Sequence, residues 1–219
     1  MNFNRHLWID ENTNKQLTKQ LDTIFKESDL KTENVYIGGM SIGGNVALSL
    51  SNHLHKNSTN IVPTGTFIVD SPIDLYALYE SSIKDISNPN FDDERLAEPK
   101  WIINYFEEEF TKDSLLENIQ KVSPFTLVNK FSSVTNLKTS KLGFYTEPDS
   151  LWWKENRQTD FESTNAYVIR QIAKDLKEKN WNQFELIETN EKGYRANGER
   201  HPHSWSIVDT KNLIEWIKG

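Results

Sequence analysis

The chain has no cysteine among its 219 residues. That excludes disulfides and thiolate metal sites, and it suits a reducing, cytoplasmic setting. Basic charge is short: 25 Lys and Arg stand against 32 Asp and Glu, for a net charge of −7. No segment gathers Lys and Arg into a stripe, so nucleic acid is not the expected partner. Long apolar runs are missing as well. None approaches the roughly 18 residues of a membrane span, and the leading Met1–His6 segment lacks the apolar core of a signal peptide. There is no internal repeat and no low-complexity linker. What remains, 36% hydrophobic and 26% charged, suits one globular domain over residues 1–219, with room for a small insertion.

Hydrophobic periodicity divides the chain into alternating helices and strands. Leu17, Leu21, Ile24 and Phe25 predict a helix over 12–27. Val35–Ile37 reads as a short buried strand ending at glycines, and 43–55 as a helix whose Gly43, Gly44 and Ala47 permit close packing on a sheet. The apolar run Gly65–Asp70 is the next strand, broken by Ser71-Pro72. Strand, helix and strand at this spacing make a βαβ unit with neighbouring parallel strands. Residues 72–136 carry no convincing strand. Three helices, around Leu75–Tyr79, Trp101–Phe110 and 114–122, punctuated by Asn88-Pro89-Asn90 and Glu98-Pro99, predict a helical cap. The α/β pattern resumes with a strand at Lys141–Tyr145, a helix over 163–179, a strand at Phe184–Glu188 and a closing helix capped by Asp209.

The densest signal is Gly39-Met40-Ser41-Ile42-Gly43, set between an apolar β run and an apolar helical run. A strand-to-helix turn of this kind presents a serine Oγ on a sharp bend, which makes Ser41 the candidate nucleophile. The backbone N–H of Ile42 is a candidate oxyanion donor. A serine hydroxyl needs a base to remove its proton. His6, His53 and His55 lie in polar stretches and read as solvated surface residues. His201 and His203 lie in the loop after the last strand. In an open parallel sheet the loops at the carboxyl ends of the strands gather round one crevice, so that loop shares a side with Ser41. His203 is the candidate base. His201, held extended by Pro202, reads as a shape or supporting contact. A metal pair at these histidines would lack further ligands at suitable spacing, so no metal and no cofactor is expected. The acid that orients the imidazole has three candidates at strand ends. Asp149 is preferred because it lies farther into its turn, with Glu147 and Asp70 as alternatives.

In the order Ser41, Asp149, His203, the chain resembles an α/β-hydrolase-fold serine hydrolase over about residues 33–219. The resemblance implies an α/β fold: a mostly parallel sheet flanked by helices, with the cap at 72–136 inserted within one domain. It implies hydrolysis of a small-molecule carboxylic ester, less readily an amide or peptide, through an acyl-enzyme on Ser41. Met40, Trp152 and Trp205 are the substrate-contact candidates, and the aromatics near the site hint at an apolar or aromatic group on the substrate. Members of the family usually carry three or four strands before the elbow strand, with an oxyanion loop of His-Gly or Gly-Gly type among them. Here only 34 residues precede Val35, with one helix and at most one strand in 3–9. The fold is therefore expected to be N-terminally abbreviated, with no visible source for a second oxyanion donor. Loss of one such donor costs about 10²–10³ in rate. An exposed edge at Val35–Ile37 would favour self-association. The alternative expectation is a non-catalytic or truncated protein of this fold that binds a small ligand or partner under its cap. A nucleotide-binding reading is disfavoured, because Gly38–Gly44 has no phosphate-loop lysine.

Overall fold

Parallel pairing in chain order builds the sheet. The computed structural model describes residues 6–57 and 59–219. Strands β1 (Tyr36–Met40), β2 (Gly65–Val69), β3 (Lys141–Thr146) and β4 (Phe184–Glu188) lie side by side in the order β1-β2-β3-β4, all parallel. Successive residues face opposite sides of a pleated strand. Ile68, Leu142 and Phe144 therefore point one way, into a core shared with Leu48 of helix α2 (Ile42–Lys56) and Ile169 and Ile172 of a later helix, α7 (Asn165–Glu178). Helix α1 (Glu11–Glu27) stacks outside α2 through Leu17, Leu50 and Leu54. Phe67, Val69 and Tyr145 point the other way, toward Ile207 and Leu213 of the C-terminal segment, where α8 (Thr210–Lys218) lies. Side chains buried as completely as Leu48, Ile68 and Phe144 contribute about 1.5–3 kcal/mol each. The architecture is α/β-hydrolase-like: a parallel sheet with helices on both faces and a serine elbow after its first strand.

Between β2 and β3 run α3 (Leu75–Ile86), α4 (Asp93–Glu109) and α5 (Leu115–Val122). They bury Leu75, Tyr79, Ile102, Phe106 and Ile119 in a cluster of their own that also takes in Leu7. The ends of the 72–136 segment behave differently, since Ile73, Phe125, Val134 and Leu137 belong to the main core.

Four local expectations are corrected. β1 does not stop at the glycines but runs to Met40. A Cβ at Gly38 would meet the Phe67 ring at 2.1 Å, and one at Gly39 would meet the Gly43 carbonyl at 2.0 Å, so these glycines serve close packing inside a strand. Pro99 does not punctuate the helices but sits inside α4. Its missing N–H and ring clash cost about 3 kcal/mol or more, and the burial of Ile102, Ile103 and Phe106 on the same helix offsets that. A further helix, α6 (Ser150–Arg157), follows β3. His53 is buried rather than solvated, beside Glu11 and Asn57. The strand entertained within 3–9 lies in part outside the described residues, and His6–Ile9 form none.

Candidate active site

Ser41 occupies the bend between β1 and α2 with φ 54° and ψ −134°, a backbone conformation that a non-glycine residue adopts only at a cost of about 1–3 kcal/mol. Its N–H donates to the Val69 carbonyl at 3.0 Å, and its own carbonyl accepts from Gly44 N at 3.0 Å. Both ends of the turn are thereby tied, one to the neighbouring strand and one to the new helix. A Cβ at Gly44 would collide with Ser71 Oγ at 2.0 Å, so this glycine lets the first turn of α2 sit against the β2 exit. Ile42 is the first residue of α2. Its N–H belongs to the group at a helix start that has no intrahelical acceptor.

Asp70 follows the adjacent strand end, also at positive φ (43°). Its N–H donates to the Tyr145 carbonyl at 2.8 Å, and its carbonyl accepts from Asn165 Nδ2 at 2.9 Å. The buried carboxylate has two partners. Thr146 Oγ1 donates to Oδ1 at 2.7 Å, and His203 Nδ1 lies 2.8 Å from Oδ2. A carboxylate at Nδ1 fixes the proton there and leaves the Nε2 lone pair free. Burial pushes the His203 pKa down, but the hydrogen bond the ring donates to Asp70, the Asp70 charge and, less, that of Glu98 together outweigh this. The net result is a pKa above the ordinary histidine value.

The preferred acid of the sequence reading is therefore corrected. Asp149 makes no bond to His203, because its two oxygens are committed elsewhere. Oδ1 caps α6 by accepting from Trp152 N at 2.9 Å, and Oδ2 accepts from Arg200 at 2.7 Å. Glu147, 1% exposed, is likewise occupied. It accepts from Thr189 Oγ1 at 2.9 Å, from Lys192 N at 2.8 Å and from Gly193 N at 3.1 Å, and it pairs with Arg200 at 2.5 Å. Arg200 also donates to the Gly193 carbonyl at 3.0 Å. Glu147, Asp149 and Arg200 thus fold the 189–200 loop that delivers the two histidines.

Ser41, Ile42, His201 and His203 border one cavity of about 400 Å³, roofed by residues of α3 and α4 that include Trp101 and Ile102. Among the described residues no hydrogen bond joins Ser41 Oγ to His203. Arg157, Arg195, Asp85 and Glu98 also line the cavity, so its wall is more polar than the aromatic hints suggested. None of the three substrate-contact candidates borders it. Met40 packs in the cluster with Val69 and Tyr145, Trp152 lies behind against Trp153 and His201, and Trp205 is 54% exposed. The tryptophans at the cavity are Trp101 and Trp153. The sequence reading also missed Thr146 and Asn165. A threonine at a strand end and an asparagine opening a helix are too ordinary to carry a signal without their partners.

No family model matches the chain, and no curated protein sequence is similar to it. Solved structures do resemble it. Carboxyl esterase 2 of the mycorrhizal fungus Tuber melanosporum superposes over 94% of this chain and 57% of its own, with 14% identity and a TM-score of 0.47. The Francisella virulence factor BioJ does so over 94% and 60%, with 14% identity and a TM-score of 0.47. A structure from an analysis of two fungal esterases of Rhizomucor miehei superposes over 92% of this chain and 54% of its own, with 11% identity and a TM-score of 0.47. The chain spans between 54% and 60% of the length of these structures. At such identities and scores the likeness assigns no residue a role. The fold statement rests instead on the strand order and the elbow. No helix among the described residues is long and apolar enough to cross a membrane.

Proposed function

We propose that the chain is a serine hydrolase acting on small carboxylic esters. Ser41 is the nucleophile, His203 the base, and Asp70 the acid that orients it. The observation that carries this reading is the His203–Asp70 pair at 2.8 Å, bordering the same cavity as a serine held at positive φ on a strand-to-helix bend. In this reading His203 Nε2 takes the Ser41 proton as Oγ attacks the ester carbonyl. Asp70 stabilises the resulting imidazolium, and the Ile42 N–H donates to the oxyanion. The proton then passes to the leaving alkoxide, and water hydrolyses the acyl-enzyme by the same steps in reverse. The chain order remains serine, acid, histidine, with the acid one strand earlier than expected. Helices α3 and α4 act as the cap, and a cavity of about 400 Å³ suits a small-molecule substrate.

A fluorophosphonate probe tests the reading directly. The folded wild-type protein should be labelled once per chain, and Ser41→Ala should abolish the label. Folded wild-type protein that resists the probe would instead support a binding protein of the same fold.

A further inference from the structure

His201 is the cavity histidine that the mechanism above leaves unused. It is 6% exposed, with its ring against the edges of Trp152 and Trp153 at centroid distances of 4.7 and 5.6 Å. The backbone N–H of His203 approaches His201 Nδ1 at 3.2 Å. A backbone amide can only donate, so Nδ1 is the acceptor and the ring proton sits on Nε2. Nε2 has no hydrogen-bond partner among the described residues, and it is not one of the sealed interior polar atoms left without one. Nε2 is therefore not sealed in the interior, and the ring that carries it borders the cavity.

We propose that His201 is a further substrate-contacting residue, whose Nε2–H donates a hydrogen bond to an oxygen of the scissile ester. This rests on the hydrolase reading of the cavity. The two histidines have opposite tautomers: His203 presents a lone pair at Nε2, and His201 presents a proton. Their ring centroids are 6.3 Å apart, a separation that one ester group, with hydrogen bonds of about 3 Å to each ring, can span. Burial, followed by the charges of Arg195, Arg157 and His203, holds the His201 pKa down at about 4. The ring is thus a neutral donor under physiological conditions. A neutral imidazole can polarise a carbonyl without carrying a titrating charge into the site. Such a donor would act as an oxyanion contact beside the Ile42 N–H, supplied from the loop that carries His203.

The experiment pairs two variants with one spectrum. His201→Gln keeps an amide donor near the position of Nε2, and His201→Phe keeps ring volume and loses the donor. With 4-nitrophenyl butyrate, His201→Phe should lower kcat/KM by about 10²–10³. His201→Gln should recover at least about tenfold of that loss, thermal melts confirming that both variants are folded. Long-range ¹H–¹⁵N correlation on histidine-labelled wild-type protein should show His201 as the Nε2–H tautomer at neutral pH, uncharged down to about pH 5. Equal rates in the two folded variants would overturn the proposal, as would an Nδ1–H or cationic His201 at pH 6. Failure of the wild-type protein to react with fluorophosphonate is a separate result. It removes the hydrolase reading and takes this proposal with it.

Discussion

Three carboxylates at strand ends looked interchangeable in the chain, and their hydrogen bonds separate them. Asp70 spends one oxygen on Thr146 and the other on His203, whereas Asp149 spends its two on a helix cap and on Arg200. Asp70→Asn keeps the shape but removes the charge that holds the histidine tautomer, so ester hydrolysis should fall by up to about 10⁴. Asp149→Asn retains a good N-cap side chain and should stay within about tenfold of wild type. Equal losses in the two variants, measured as kcat, would return the acid role to open competition. The pH profile gives a second readout. In the proposed reading the base must be neutral His203, whose pKa is raised above the ordinary 6.5, so activity should rise with pH and reach half its maximum above 6.5. In Asp70→Asn the lowering effect of burial is opposed only by the charge of Glu98, and the residual activity should titrate at lower pH. At this scale motif and loop position singled out Ser41 and His203 as candidates, but left Asp70 as one alternative among three acids. Choosing among acids requires knowing which oxygens are already occupied.

The elbow between β1 and α2 depends on how closely two elements approach. A Cβ at Gly39 would lie 2.0 Å from the Gly43 carbonyl, while one at Gly43 would meet nothing within 4 Å. Gly39→Ala should therefore push the start of α2 away from the strand, lowering the melting temperature and fluorophosphonate labelling together. Gly43→Ala removes backbone freedom from a helical position with space for a methyl group, which should stabilise the protein by about 0.4–1 kcal/mol. A thermal melt of each variant checks the contrast, and a Gly43→Ala that melts well below wild type would contradict it. The Gly-x-Ser-x-Gly pattern in the chain marks both glycines alike. Only the distance from helix backbone to strand tells them apart. The same limit explains Pro99, where side chains packed a turn away outweigh a local helix-breaking preference, and α6, whose cap residue Asp149 was assigned to another task.

Across the whole molecule the two cavity histidines couple stability to pH in opposite directions. His201 has a folded pKa near 4, below its unfolded value of 6.5. Its contribution is therefore complete above 6.5 and is lost as pH falls toward 4. At about 1.36 kcal/mol per unit, the loss amounts to at most about 3 kcal/mol. His203 has a raised folded pKa, so its contribution is complete below 6.5 and is lost as pH rises through the folded value. Urea unfolding at intervals from pH 7 to pH 4.5 should show stability falling with acid in wild type. The slope should be shallower in His201→Phe, which has no ring to protonate there. Parallel slopes would show that the acid sensitivity arises elsewhere.

By itself the sequence determined the alternation of strands and helices, the place of the elbow and the loop that brings the histidines. These follow from periodicity, glycine spacing and chain order, all of which are local. The tertiary structure decided which acid meets His203, which tryptophans border the cavity and which groups face each imidazole. Those outcomes depend on contacts between residues as far apart as Asp70 and His203, where one hydrogen bond formed is one partner denied to every competing side chain.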